Sequence, residues 1–484
     1  MIWGLMIYIF VMMLGPAGLH PVFQHWPPLI VVAAAGAGAL YLTVRRISTR
    51  ASHALSRNPA KATQIQQRFR QRAAILQLMM LGGVYYFVDY LGFGRILIRS
   101  HFIIFHYWIV QFIYGTLVLG LIFLIQLGTY GFATAWRHMR DIDRLAMGRK
   151  VYPWPSSVRL ALDKVRVTAG IVYTLLVFAT LASYGGEYLP VWTHWQFLQQ
   201  HAGVMTGIIS VAILWMLYPY ILVRVLNTQR MTDGQLREGL LAAARRHRIK
   251  ITDIRVIQTH HRIANAAWIG TIISPRYILL TDLVLDDFSP QEIEDIFAHE
   301  LGHGHHRHAT WYLLLLLAAI LWLGVLAHGE EYLPGWAGAG TASATPIIFI
   351  FILISAFGRF SRLSEHQADW FAARHWAGRS AKTDTDANTG LTPPAEQDWK
   401  EAILRGAALG AEALRNLADE NGLRTDRTAI THPSIDDRIT SLYTLSFCPH
   451  IEKRMHQRAR IWRCGILTML VAAIACQIYI YFIR

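Results

Sequence analysis

Long apolar runs alternate with short, mostly basic polar runs through the first half of the chain, and two longer polar stretches break the pattern later. A helix needs about 20 residues to cross the hydrocarbon core of a bilayer. On that length, residues 2–19, 28–44, 73–94, 102–132, 167–184 and 203–223 read as helical spans, and residues 311–326, 336–357 and 464–482 follow them. The pattern therefore predicts a mainly α, polytopic membrane bundle of about nine spans. Gly15 and Pro16 interrupt the first block, and Gly338, Ala342 and Ala344 make the start of the eighth small rather than greasy.

The polar stretches carry other periodicities. A helix is predicted over residues 232–247, N-capped by Thr232 or Asp233. Strands follow at 254–258, 264–269 and 277–281, with Ser274-Pro275 as a turn between the last two. Ser289-Pro290 then opens a helix: Ser289 suits the N-cap, Pro290 the first turn, and Glu292 and Glu294 the positive end of the dipole. The second polar stretch reads as mostly helical, broken over residues 378–397 by a loop rich in Thr, Asp, Pro and Gly. The expected division is a membrane region (residues 1–230), a first polar part (231–310), an apolar hairpin (311–358), a second polar part (359–462) and a last span (463–484).

Composition and charge sharpen this. Hydrophobic residues make up 54% of the 484, which is the balance of a bilayer protein. The net charge of +15 would suit nucleic acid, but the Lys and Arg lie in loops between apolar blocks, so membrane orientation accounts for them and no nucleic-acid partner is expected. Arg45, Arg46, Arg50, Arg57 and Lys61 follow the second block, and Arg137, Arg140, Arg144 and Arg149 follow the fourth. Residues 185–202 hold only Glu187, and Arg95 and Arg99 are the exception to the alternation. The bias puts the N-terminus and both polar stretches on the cytoplasmic side of an inner (plasma) membrane. The first block lacks a basic n-region and reads as a retained span. Cys448, Cys464 and Cys476 form no Cys-x-x-Cys pair, so a metal site must use His and carboxylates.

Those residues are present. The helix opened by Ser289 runs into His299-Glu300-Leu301-Gly302-His303. Residues at i and i+4 share a helix face, so both imidazoles reach one ion, and Glu300 is placed to act on a water there. Catalytic zinc takes three protein ligands and keeps one open position. Downstream, Ser361-Arg362-Leu363-Ser364-Glu365-His366-Gln367-Ala368-Asp369 offers Glu365 as the third ligand. Asp369, one turn on, is suited to accept the second ring hydrogen of His299. His305, His306 and His308 read as a solvated cationic cap at the helix end rather than a second metal site.

Together the motifs resemble those of membrane zinc metalloproteases of the HtpX and CAAX prenyl endopeptidase type, within the gluzincins. Besides the two motifs, His432-Pro433 with Arg438 resembles the family's His-Pro segment, and Asn265-Ala266-Ala267-Trp268 resembles its edge strand. The resemblance covers roughly residues 232–440. It implies an α+β protease domain on the cytoplasmic face, one zinc ion held by His299, His303 and Glu365, and Glu300 as general base. It also implies Asn265 on the substrate backbone, His432 as transition-state stabiliser or displaceable fourth ligand, and Arg438 as a support acting through the carboxylates. Pro433 followed by Ser434 departs from the commoner Pro-Pro, and the six amino-terminal blocks and the last span exceed the HtpX layout.

The expected function is a zinc-dependent endopeptidase that hydrolyses membrane or membrane-associated proteins in quality control, with protein or peptide substrates, a lipid bilayer around it, and room for oligomers. Two alternatives stand beside it: a CAAX-type prenyl-peptide endopeptidase, and a non-catalytic metal-binding scaffold or transporter. Asp89 and Arg224, the charges that would favour a transporter, lie near block ends.

Overall fold

Helices dominate a computed structural model of the chain, which describes residues 26–85, 106–192, 196–330, 335–383 and 396–483. The expected first span and the loop holding Arg95 and Arg99 lie outside the described residues, as does most of the loop expected at 378–397. Two compact units are present, Met1–Asn227 and Thr228–Arg484.

In the first unit, α1 (Trp26–Arg57) is joined by a short 3-10 turn to α2 (Ala62–Tyr85), and α3 (His106–Ala146), α4 (Ser157–Trp192) and α5 (Gln196–Val225) follow. Helix α3 packs on α1 and α4, and α4 packs along α5. Small residues let these helices approach: a β-carbon at Gly128 would stand 2.8 Å from Val44 Cγ1, and one at Gly170 would overlap Val225.

Four helices among the described residues are long and apolar enough to cross a membrane: Pro28–Arg57, Gly115–Ala146, Met205–Val225 and His450–Tyr479. They coincide with the second, fourth, sixth and ninth expected spans. His308–Trp322, at the seventh, is a shorter apolar helix.

The second unit opens with a small mixed sheet. Its strands are β1 (Thr228–Arg230), β2 (Asp253–Ile257), β3 (Ala266–Ile269) and β4 (Tyr277–Thr281), in the order β1-β2-β4-β3. β1 pairs antiparallel with β2, β2 parallel with β4, and β3 antiparallel with β4, so β3 is an edge strand. Sequence reading misses β1, a three-residue strand too short to show a period of two. It also places the first helix early: α6 runs Gln235–Arg246, with Gly234 at its N-cap and no side-chain cap bond. Asp233 is drawn instead into ion pairs with Arg230 and Arg237.

After the sheet come α7 (Asp282–Asp287), α8 (Pro290–His305), α9 (His308–Glu330), α10 (Gly335–Thr383), α11 (Glu396–Asn421), α12 (Ile435–Phe447) and α13 (Pro449–Ile483). α8 starts as its sequence requires, with Pro290 in the first turn and a capping box between Ser289 and Glu292. Its buried face, Ile293, Phe297 and Leu301, is fully packed. Gly302 lies where α8 meets α10: a β-carbon there would stand 2.9 Å from Ala368 Cα. Two helices touching at this distance bring their polar residues within reach of one another.

Candidate metal centre

α8 carries His299, Glu300 and His303, and α10 carries Glu365 and Asp369. One nitrogen from each of His299 and His303 and one Glu365 oxygen all lie within 4.8 Å of one another. His299 Nε2 stands 3.1 Å from His303 Nε2, and Glu365 oxygens lie 3.7 Å from each of these nitrogens. His299 Nδ1 is 2.9 Å from Asp369 Oδ1. A carboxylate oxygen only accepts, so His299 carries its hydrogen on Nδ1 and presents a lone pair at Nε2. Lone pairs of a second imidazole and a carboxylate converge on the same point. Such a set repels itself unless a cation lies among them, and two nitrogens with one oxygen suit a divalent transition metal such as zinc. The donor set fits.

Around the trio the charges are arranged in layers. Arg438, from α12, grips Asp369 as a fork, Nε to Oδ2 at 2.9 Å and Nη2 to Oδ1 at 2.5 Å, and its Nη1 lies 3.6 Å from Glu365 Oε2. His432 stands at the mouth, with its side chain 58% exposed and Nδ1 3.2 Å from Glu365 Oε1. Its segment is held by Ser434, the N-cap of α12, which accepts from the Asp437 N–H at 3.0 Å. Burial pushes the Glu365 carboxyl up, but the bond with His432 and the charges of Arg438, His303 and His299 outweigh it and hold the group ionised, well below its ordinary range. Asp369 is likewise lowered: burial opposes the shift, and the Arg438 charge and hydrogen bonds overcome it.

Glu300 is different. It is 8% exposed, and burial pushes its carboxyl above the ordinary value against the pull of His299. Oε2 accepts the Trp268 main-chain N–H at 2.6 Å, which ties the carboxylate to β3. Asn265 joins the cluster only through that strand: its side chain is exposed, and its N–H donates to Thr281 Oγ1 at 3.0 Å.

Of the histidines after His303, His305 is exposed as expected of a solvated cap, while His306 and His308 depart from that expectation. His308 is 1% exposed, and burial together with neighbouring charged groups pushes His306 down to about 3, so it stays neutral. His308 lies against the back of His303, and Gln367 lies behind His308; the role of Gln367 was not read from the motif, and the signal was its position on the same helix as Glu365.

A histidine pair on one helix, completed by a carboxylate from a second and flanked by a buried third acid, is the ligand layout of a metallopeptidase. Residues 230–446 match the model of Peptidase family M48, which bears out the resemblance to HtpX and CAAX-type membrane metalloproteases. A Protease HtpX homolog of Archaeoglobus fulgidus is 27% identical over 223 residues, covering 45% of this chain and 61% of its own. One of Aeropyrum pernix is 28% identical over 185 residues, covering 35% of this chain and 56% of its own. The chain thus spans about three-fifths of the length of these curated relatives. A crystal structure of S. mikatae Ste24p aligns with 86% of this chain and 100% of its own at 13% identity, with a TM-score of 0.47, too low to establish a shared fold.

Proposed function

We propose that the chain is an integral membrane, zinc-dependent endopeptidase that hydrolyses peptide bonds of membrane or membrane-associated proteins. The observation that carries this reading is the convergence of His299, His303 and Glu365 beside the buried acid Glu300. The positive-inside pattern supports a cytoplasmic site at an inner membrane, and residues 231–310 and 359–462 serve as the two parts of the protease domain, joined by an apolar hairpin at 311–358.

His299, His303 and Glu365 would hold one zinc ion, whose chemistry is to polarise a carbonyl and acidify water near neutral pH. Asp369 accepts the second ring hydrogen of His299 and keeps Nε2 free for binding, while Arg438 lends its one positive charge to both Asp369 and Glu365. Glu300 takes a proton from the attacking water and passes it to the leaving amine, a task its raised proton affinity suits. His432, at the open mouth, donates to the oxygen that becomes negative as the carbonyl is attacked. Asn265 and the outer edge of β3 receive the substrate backbone as an added strand.

The deciding experiment compares wild type with Glu300→Gln in purified full-length protein. Cleavage of an unfolded membrane protein should fall by about two to four orders of magnitude. Zinc content by atomic absorption should stay at one ion per chain; undiminished cleavage would refute the mechanism.

A further inference from the structure

Behind His303, on the side away from Glu365, a file of polar groups leads out of the metal centre. His303 Nδ1 lies 2.8 Å from His308 Nδ1, and His308 Nε2 lies 3.3 Å from Gln367 Oε1. Gln367 Nε2 lies 3.1 Å from His456 Nδ1, and His456 Nε2 lies 3.8 Å from Glu452 Oε1. Four helices contribute: α8, α9, α10 and α13. His308 and Gln367 are each 1% exposed. Polar groups buried this deeply are costly unless paired, and these two are paired with each other, with His303 and with His456.

We propose that this file, with His308 as its first member, is the positioning device that fixes His303 as a metal ligand. It rests on the reading of His303 as a ligand given above. A ring nitrogen that binds an ion spends its lone pair, so with Nε2 turned to the metal the hydrogen of His303 sits on Nδ1 and is donated to His308 Nδ1. His308 then carries its own hydrogen on Nε2 and donates it to the Gln367 amide oxygen. The amide nitrogen of Gln367 donates to His456 Nδ1. That leaves the His456 hydrogen on Nε2, directed at the Glu452 carboxylate.

The opposite sense is the less favourable one at the outer end, where His456 is 40% exposed and its Nε2 lies 3.8 Å from the Glu452 carboxylate. With the hydrogen of His303 on Nε2, His308 would donate from Nδ1 and present a lone pair to Gln367. Turning the amide over would satisfy that pair, but its oxygen would then need a hydrogen from His456 Nδ1. His456 would be left with a lone pair facing the Glu452 carboxylate. The buried acceptor His308, held by Gln367 and His456, thus favours the tautomer in which His303 can bind a metal, and the acid on α13, which also accepts from Arg374 Nη1 at 2.9 Å, biases the outer end the same way. Asp369 does this for His299 directly. Among the described residues the partner at His303 Nδ1 is not an acid but His308.

The test is the zinc dissociation constant of purified full-length protein, measured with zinc alone against a fluorescent chelator, alongside the thermal unfolding midpoint. His308→Met keeps the bulk and removes the acceptor; zinc should bind about 10–100-fold more weakly. His308→Gln, which returns an acceptor oxygen, should recover most of that loss. Gln367→Met and His456→Leu should weaken zinc in the same direction by smaller factors, and they decide the matter if His308→Met does not fold. A packing role alone would lower the unfolding midpoint and leave the zinc constant at the wild-type value. That result in the folded variants overturns the proposal while leaving the metal centre intact. Wild type that takes up no zinc would instead overturn the metal centre itself, and this inference with it.

Discussion

Gly302 on α8 meets Ala368 on α10 with almost no side chain between them, since a β-carbon at Gly302 would lie 2.9 Å from Ala368 Cα and 3.0 Å from Phe371 Cβ. The contact lies between the helix pair's functional residues, with His299, Glu300 and His303 on one side of it and Glu365 and Asp369 on the other. Helix separation at this point sets the distance from the imidazoles to the third carboxylate. Gly302→Val should therefore force α8 and α10 apart, and zinc retained after dialysis should fall along with the unfolding midpoint. Full zinc content in a folded Val variant would show that the spacing is set elsewhere.

Removal of a ligand should act on the metal more strongly than removal of a positioning group. Glu365→Ala is expected to lower zinc affinity at least as much as the roughly 10–100-fold typical of outer-shell changes. Atomic absorption on the dialysed protein reads this directly, and unchanged zinc would take Glu365 out of the ligand set.

Arg438 faces two buried carboxylates and is the cation that both Asp369 and Glu365 share. Arg438→Leu removes that shared charge and leaves only the histidine contacts of the two acids, and should cost about 3–5 kcal/mol, read as a large drop in denaturant midpoint. Arg438→Lys keeps the charge but loses the fork to Asp369, so its loss should be intermediate. Equal stability of the Lys and Leu variants would mean that geometry alone matters.

Asp295 supplies a pH-dependent signature. It is buried on α8, Oδ1 accepts the Trp376 indole N–H at 3.0 Å, and burial pushes its carboxyl up to about 7 from an ordinary 3.8. Between those values the folded chain holds a proton that the unfolded chain has released, so stability falls as pH rises through the window. Asp295→Asn keeps an acceptor for Trp376 and removes the ionisation. Its unfolding midpoint should gain on wild type as pH rises from about 4 to 7 and hold that gain above. A constant difference across the window would show that the acid is already satisfied in its charged form.

Much of the site was legible from spacing because its parts are local. His299, Glu300 and His303 sit on one helix turn, and a capping box and first-turn proline announce where that helix begins. Glu365 and Asp369 share a face of α10 for the same reason. The misreadings came where a local signal competed with distant partners. Asp233 is a good helix cap by type, but Arg230 and Arg237 draw its carboxylate away, and α6 begins later. His305, His306 and His308 look like a charged helix end, and burial among α9, α10 and α13 makes His306 neutral and places His308 in a hydrogen-bonded file.

Periodicity and residue type were enough for four of the nine expected apolar spans among the described residues, for the paired imidazoles and for the acid between them, because each depends on neighbours within a turn or two of the same helix. Tertiary structure alone decided which groups meet across helices: Ala368 against Gly302, Arg438 on Asp369, and Gln367 between His308 and His456. Those pairings join residues distant along the chain, and helix geometry carries no record of them until packing brings the faces together.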